Sequence, residues 1–172
     1  MNNLYVLQGM GFKVPWKLIA IGLFGDGEIP PSITRSDVVE YLDCLLTAEN
    51  EQTDDAISLF CEKDDTPIFD RVLKDLASRD TADSMVQKRK WRACLLKNLM
   101  EHISKDYLQG LLDLMEFWVS MGRPSDCPQT FPSQESKEST QEYFTQASYE
   151  FNVNNNQKWL RAEVESIVKL EA

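Results

Sequence analysis

The sequence predicts an all-α fold of about six to eight helices, packed as a bundle or a short solenoid-like stack. Three observations carry this expectation. From Thr34 onward, apolar residues recur at steps of three and four, the helical period. Residues suited to helix caps stand just before these runs, and glycine or proline just after them. The one strand candidate, "LYVL" at 4–7, is too short to commit to a sheet. A length of 172 residues with 42% hydrophobic content supports one buried core, so residues 1–172 are read as a single domain.

The first helix expected is 15–24, with Pro15 at its first position, where the missing N–H costs nothing. Trp16, Ile19, Leu23 and Phe24 give it an apolar surface, and Gly25 closes it. Thr34 and Asp37 form a capping box for a second helix, whose inner face is Val38, Tyr41, Leu42, Leu45 and Leu46. A short helix starts at Thr53. Thr66 then caps a longer one, with Pro67 in the first turn and Phe69, Val72, Leu73 and Leu76 as its buried stripe.

Residues 84–122 read as a helical hairpin. Val86, Ala93, Leu96, Leu99, Met100 and Ile103 face inward on the first arm, and Asp106 caps the second. The second arm is apolar nearly all round, which predicts a central, buried helix. Gly122 and Pro124 stop it. Residues 123–140 are proline-rich and polar and read as an irregular connector with little core of its own. After a possible resumption at "QEYFTQASYEF", the chain ends in a helix capped by Asn155 or Asn156, with Leu160, Val164, Ile167 and Val168 inward.

Charge narrows the function classes. The chain carries 18 Lys and Arg against 28 Asp and Glu, a net charge of −10. Such a field repels phosphate backbones and anionic membranes, so neither nucleic acid nor membrane is expected as a partner. Basic proteins are attracted. The charge is also polarised: residues 33–83 hold 14 acids and 5 bases, whereas 84–105 hold one acid and six bases. The longest apolar region, "YLQGLLDLMEFWVSM", is interrupted by Asp113 and Glu116 and falls short of the roughly 20 residues that span a bilayer. Four cysteines without a C-x-x-C pair, and an opening "MNNLYVLQGM" without signal-peptide features, predict a reduced cytoplasmic protein.

No motif in the chain demands a cofactor. "IGLFGDGEIPPS", 21–32, has three glycines, but it lacks the Lys of a phosphate loop and puts Asp26 and Glu28 where phosphate would sit. It reads as a helix stop and an Asp26-Gly27 turn. One histidine and scattered cysteines do not make a tetrahedral metal site, and Cys44, Cys61 and Cys94 read as small core residues. His102 stands beside Glu101 on a helix, where adjacent residues point apart, so no acid-base pair follows from the sequence. The paired acids Asp54-Asp55 and Asp64-Asp65 fall at helix starts, where capping explains them. No enzyme is expected. The basic run "QKRKWRACLLK" reads as a solvated helix face paired with the acidic region.

What remains is an acidic binding surface. In an up-and-down path, alternate loops share an end. One end gathers Glu49, Glu51, Asp54, Asp55, Asp80 and Asp83, with Arg79 nearby, and is the first-choice contact site. The other gathers Asp26, Glu28, Asp64 and Asp65, the second choice.

The order of "PWKLIAIGLFGDGEI", "SDVVEYLDCLL", "DDAISLFCEKDDTPIFDRVLKDL", "CPQTFP", "EYFTQASYE" and "KWLRAEVES" resembles a bacterial family associated with toxin immunity. The likeness is to the immunity proteins of contact-dependent growth inhibition and related polymorphic toxin systems. It covers most of the chain and rests on spaced apolar, Trp and Gly positions. It implies a cytoplasmic protein that binds the C-terminal domain of its cognate toxin one to one and neutralises it. A nuclease toxin needs a basic groove, which an acidic partner can cover. Two other expectations compete: an acidic helical adaptor for a basic host protein, using the same acids or an aromatic groove at Trp118, Tyr143 and Phe144, and a hydrolase built on His102.

Overall fold

The computed structural model describes residues 2–47, 53–132 and 140–172. Among them the regular elements are α1 Asn3–Gly9, α2 Trp16–Phe24, α3 Arg35–Thr47, α4 Thr53–Cys61, α5 Thr66–Arg79, α6 Ser84–His102, α7 Tyr107–Ser120, α8 Thr140–Tyr143 and α9 Gln146–Glu171. The fold is all-α. Helix α8 is a single turn. The strand candidate at 4–7 lies in α1, whose first turn is fixed by the Asn2 side chain accepting the N–H of Leu4 at 3.0 Å. No described helix is long and apolar enough to cross a membrane.

The residues group into two compact units: one runs to Trp91 and includes Leu170–Ala172, the other is Arg92–Lys169. In the first, α2 packs on α5, α3 on α1 and α4, and α4 on α5. Leu18, Val38, Leu42, Leu59, Phe69, Leu73 and Trp91 are fully buried there. Helix α2 ends as expected at Gly25, with φ +74°, a conformation that a side chain would strain. Pro15 stands one residue earlier than predicted, as the N-cap, and offers no side-chain bond to the helix. Asp26 Oδ1 accepts the N–H groups of Glu28 and Ile29 at 3.1 and 2.8 Å, so the glycine-rich stretch is the turn its sequence suggested. Gly22 has a different task. Its Cα lies against the buried Trp91 ring, whose Nε1 donates to Leu18 O at 2.8 Å.

The basic run of α6 departs from expectation. Lys90 is fully buried, and its ammonium donates to Lys13 O, Gln87 Oε1 and Glu171 Oε1. Arg92 is nine-tenths buried. An aliphatic stem lets a long cation enter a core when its head finds acceptors, as that of Lys90 does. The cysteines also divide: Cys94 is buried, its thiol pushed up to about 12 by that burial, while Cys44 and Cys61 are exposed rather than core.

In the second unit, Asp106 caps α7 as predicted, but α7 is not buried all round. Gly110, Leu111, Leu114 and Trp118 face inward, and Leu108, Leu112 and Val119 are exposed. Helix α9 begins well before the asparagines, at a cap where Thr145 Oγ1 accepts the Ser148 N–H at 3.2 Å. Asn152 and Asn156 sit fully buried inside it, and the inner face also includes Glu163 and Ile167, with Val168 exposed. Burial is tolerated because every amide group has a partner. Asn152 and Asn156 return donors to the carbonyls of Ser148 and Asn152, while their oxygens accept from Thr130 N and from Trp118 Nε1 at 2.6 Å. These bonds tie the connector to the unit: Gln129 accepts from Asn156 Nδ2 and donates to Tyr143 Oη. Residues 123–132 of the connector carry no helix, as predicted, yet they contribute buried contacts, while its last residue, Thr140, already begins α8.

Candidate functional site

The start of α2, the first turn of α4 and the end of α5 enclose a cleft of about 280 Å³ in the first unit. Pro15, Trp16 and Leu76 supply its apolar lining, and Asp55, Arg79, Asp80 and Thr81 its polar lining. Three of the residues expected at the first-choice end, Asp55, Asp80 and the base Arg79, thus meet at one place. Asp54 adjoins them on the exposed first turn of α4. Glu49 and Glu51 lie outside the described residues.

The acids differ in what they already do. Asp80 ends α5, its N–H donating to Leu76 O at 3.1 Å. Its carboxylate then accepts from Lys17 N at 3.0 Å and from Ala82 N at 2.8 Å, so it supplies α2 with the cap that Pro15 cannot. Lys17 closes the link by donating from Nζ to Ala82 O at 2.6 Å. Asp83 caps α6, its Oδ1 accepting from Met85 N and Val86 N. Both acids therefore hold the fold. Asp54 and Asp55 are exposed and make no ion pair among the described residues. Acids in the first turn of a helix are favoured by its dipole, so this position holds negative charge at no structural cost.

Most nearby bases have contacts of their own, while Arg79 also lines the cleft. Arg35 forms a two-pronged pair with Asp70 at 2.9 and 2.8 Å, and that bond lowers the Asp70 pKa below its usual 3.8. Lys63 lies over the Phe60 ring and Lys74 over the Phe24 ring, at 4.4 and 4.6 Å. Arg79 donates weakly from Nε to Asp75 O at 3.4 Å.

The second-choice acids are mostly spoken for. Lys88 pairs with Asp26 and Glu28, each at 3.0 Å. Partial burial works against the Asp26 charge, but the Ile29 and Glu28 N–H groups and Lys88 outweigh it and lower its pKa. Asp65 caps α5 through Ile68 N in place of the predicted Thr66, and Asp64 is exposed.

The competing candidates also find their places. Trp118 is fully buried and hydrogen-bonded, so it lines no surface groove with Tyr143 and Phe144. His102 is exposed at the end of α6, with Nδ1 2.9 Å from Asn98 O, and the adjacent Glu101 pairs with Lys97. Sequence reasoning read Trp16 and Leu76 only as packing residues. The signal available was Trp16 at the very start of a helix, where its ring stays partly exposed.

The family model described as an uncharacterized protein conserved in bacteria, DUF2247, matches residues 5–164. The chain belongs to that family. The DUF2247 match takes in the whole cleft, from Pro15 to Thr81, together with α6 and α7. No curated protein and no solved structure matches this DUF2247 member.

Proposed function

We propose that this protein is the cytoplasmic immunity partner of a basic toxin domain, a nuclease, which it binds one to one and neutralises by covering the toxin's substrate groove. The carrying observation is that Asp55, which lines a cleft with an aromatic wall, and the adjacent exposed Asp54 make no ion pair among the described residues. Arg35 is paired with Asp70, and although Arg79 lines the cleft, residues 33–83 hold 14 acids against 5 bases, an excess that keeps this face net acidic. Such a surface speeds association with a basic groove and selects against acidic partners. The resemblance of the chain to toxin-immunity proteins supplies the biological class. Neutralisation by occupation needs no turnover from this chain.

The test is stoichiometric inhibition. The purified protein is titrated against the toxin domain encoded beside it, and residual toxin activity is measured. Full inhibition near equimolar protein is expected, with nanomolar or tighter affinity, because a small escape of toxin is lethal. A toxin that stays fully active at equimolar dose overturns the reading.

A further inference from the structure

Helix α7 leaves a row of apolar side chains uncovered. Leu108, Leu112 and Val119 are 45%, 41% and 48% exposed, and the partly exposed Met115 lies between them. At about 100° per residue, these four positions fall within a sector of roughly 60°, and they extend along about 16 Å of helix. Isolated exposed leucines are ordinary, but a continuous stripe marks an interaction surface. On one side the stripe meets the buried face of Leu111, Leu114 and Trp118. Its other side is edged by Gln109, Asp113 and Glu116, where Gln109 donates to Asp113 at 2.6 Å.

We propose that this stripe is a docking surface for an amphipathic helix of a partner protein, with leucine-like side chains at three and four residue spacing and lysine or arginine along one edge. Two observations select that occupant. The exposed positions repeat at the three and four residue spacing with which the side chains of two helices interdigitate. The single polar edge is acidic, so a basic edge on the incoming helix completes it. A second copy fits less well. It carries the same net charge of −10, and an antiparallel pair of α7 helices would set Asp113 and Glu116 against their own copies. The surface is separate from the cleft residues and does not depend on the toxin-binding reading.

The probe is a blocked leucine-lysine peptide of about 14 residues, four helical turns, compared with a leucine-glutamate peptide having the same leucine positions. Binding to the full chain is measured by calorimetry. The lysine peptide is expected to bind at least about tenfold more tightly than the glutamate peptide. Leu112→Gln with Val119→Gln should weaken the lysine peptide by about tenfold, and Asp113→Lys with Glu116→Lys should reverse the preference. Thermal melts check the fold, and Val119→Gln alone serves if the double variant melts early. No binding, or equal binding by parent and Leu112→Gln/Val119→Gln protein, overturns the proposal. So does a parent dimer in light scattering that this variant dissociates, which would assign the stripe to a second copy.

Discussion

The backbone N–H of Lys17 donates to the carboxylate of Asp80 at 3.0 Å, so the residue that ends α5 also caps the start of α2. This bond couples two helices that line the same cleft. Asp80→Asn keeps the shape but weakens the charge-assisted bonds, and Asp80→Ala removes them. Loss of a side-chain cap costs about 1 to 2 kcal/mol. Urea unfolding should therefore show Asp80→Ala destabilised by that amount and Asp80→Asn by less. An Asp80→Ala midpoint equal to the parent's would remove the capping role.

A Cβ added at Gly22 would lie 2.1 Å from Cζ2 of the buried Trp91. The ring cannot retreat without breaking its bond to Leu18 O, and the Gly22 carbonyl also accepts the N–H groups of Ser32 and Ile33. Gly22→Ala should cost about 3 kcal/mol through overpacking. Gly9, at the end of α1, has nothing within 4 Å of such a Cβ, so Gly9→Ala should be neutral. Paired thermal melts of the two variants check the contrast.

These two contacts mark the limit of what is legible in the sequence. Capping residues and three-four spacing act within one turn, so α3, α5 and the start of α7 are legible locally. Gly22 is not, because its reason is a tryptophan on another helix. The asparagines of α9 mislead for a similar cause: their local preference is a cap, but Thr130 and Trp118, remote in sequence, make their burial affordable. At the cleft, loop order was enough to bring Asp55, Arg79 and Asp80 together. It could not reveal that Asp80 is occupied by Lys17, nor that Trp16 forms a wall. The apolar composition of α7 suggested burial, and only the packing shows which side is covered.

The fully buried Lys90 depends on Glu171, whose other oxygen accepts from Lys13 N at 3.1 Å. Removing the carboxylate leaves a buried ammonium with only the neutral acceptors Lys13 O and Gln87 Oε1, whereas removing the ammonium leaves a carboxylate still held by the Lys13 N–H and partly open to water. Glu171→Ala should cost about 3 kcal/mol, and Lys90→Met clearly less. Chemical denaturation of both variants measures this asymmetry, and the reverse order would contradict it.

The Arg35 bond lowers the folded pKa of Asp70 below its usual 3.8. A carboxyl depressed on folding adds stability above its unfolded pKa and loses it as pH falls through the folded value. The melting-temperature gap between parent and Asp70→Asn should therefore be constant above about pH 5 and close progressively below about pH 4. High salt should narrow it at neutral pH, because the pair is exposed. A gap that persists unchanged at pH 2 would assign the effect of the substitution to something other than ionisation.

Asp54 and Asp55 allow the proposed binding to be tested apart from folding. Neither caps a helix nor pairs with a base among the described residues, so their reversal to lysine sacrifices only the favourable interaction with the α4 dipole, up to about 1 kcal/mol. Their field, by contrast, acts on an approaching basic partner before contact. If the proposed toxin domain is the partner, the Asp54→Lys/Asp55→Lys variant should associate with it about 10 to 100 times more slowly at low salt, with a smaller change in dissociation. Because the screening length falls to about 8 Å at physiological ionic strength, the difference from the parent should shrink as salt is added. Stopped-flow association across a salt series tests this directly. Asp80→Asn, which alters a cap beside the same cleft, should leave that salt dependence nearly intact. If Asp54→Lys/Asp55→Lys associates at the parental rate while remaining folded, the contact surface lies away from α4.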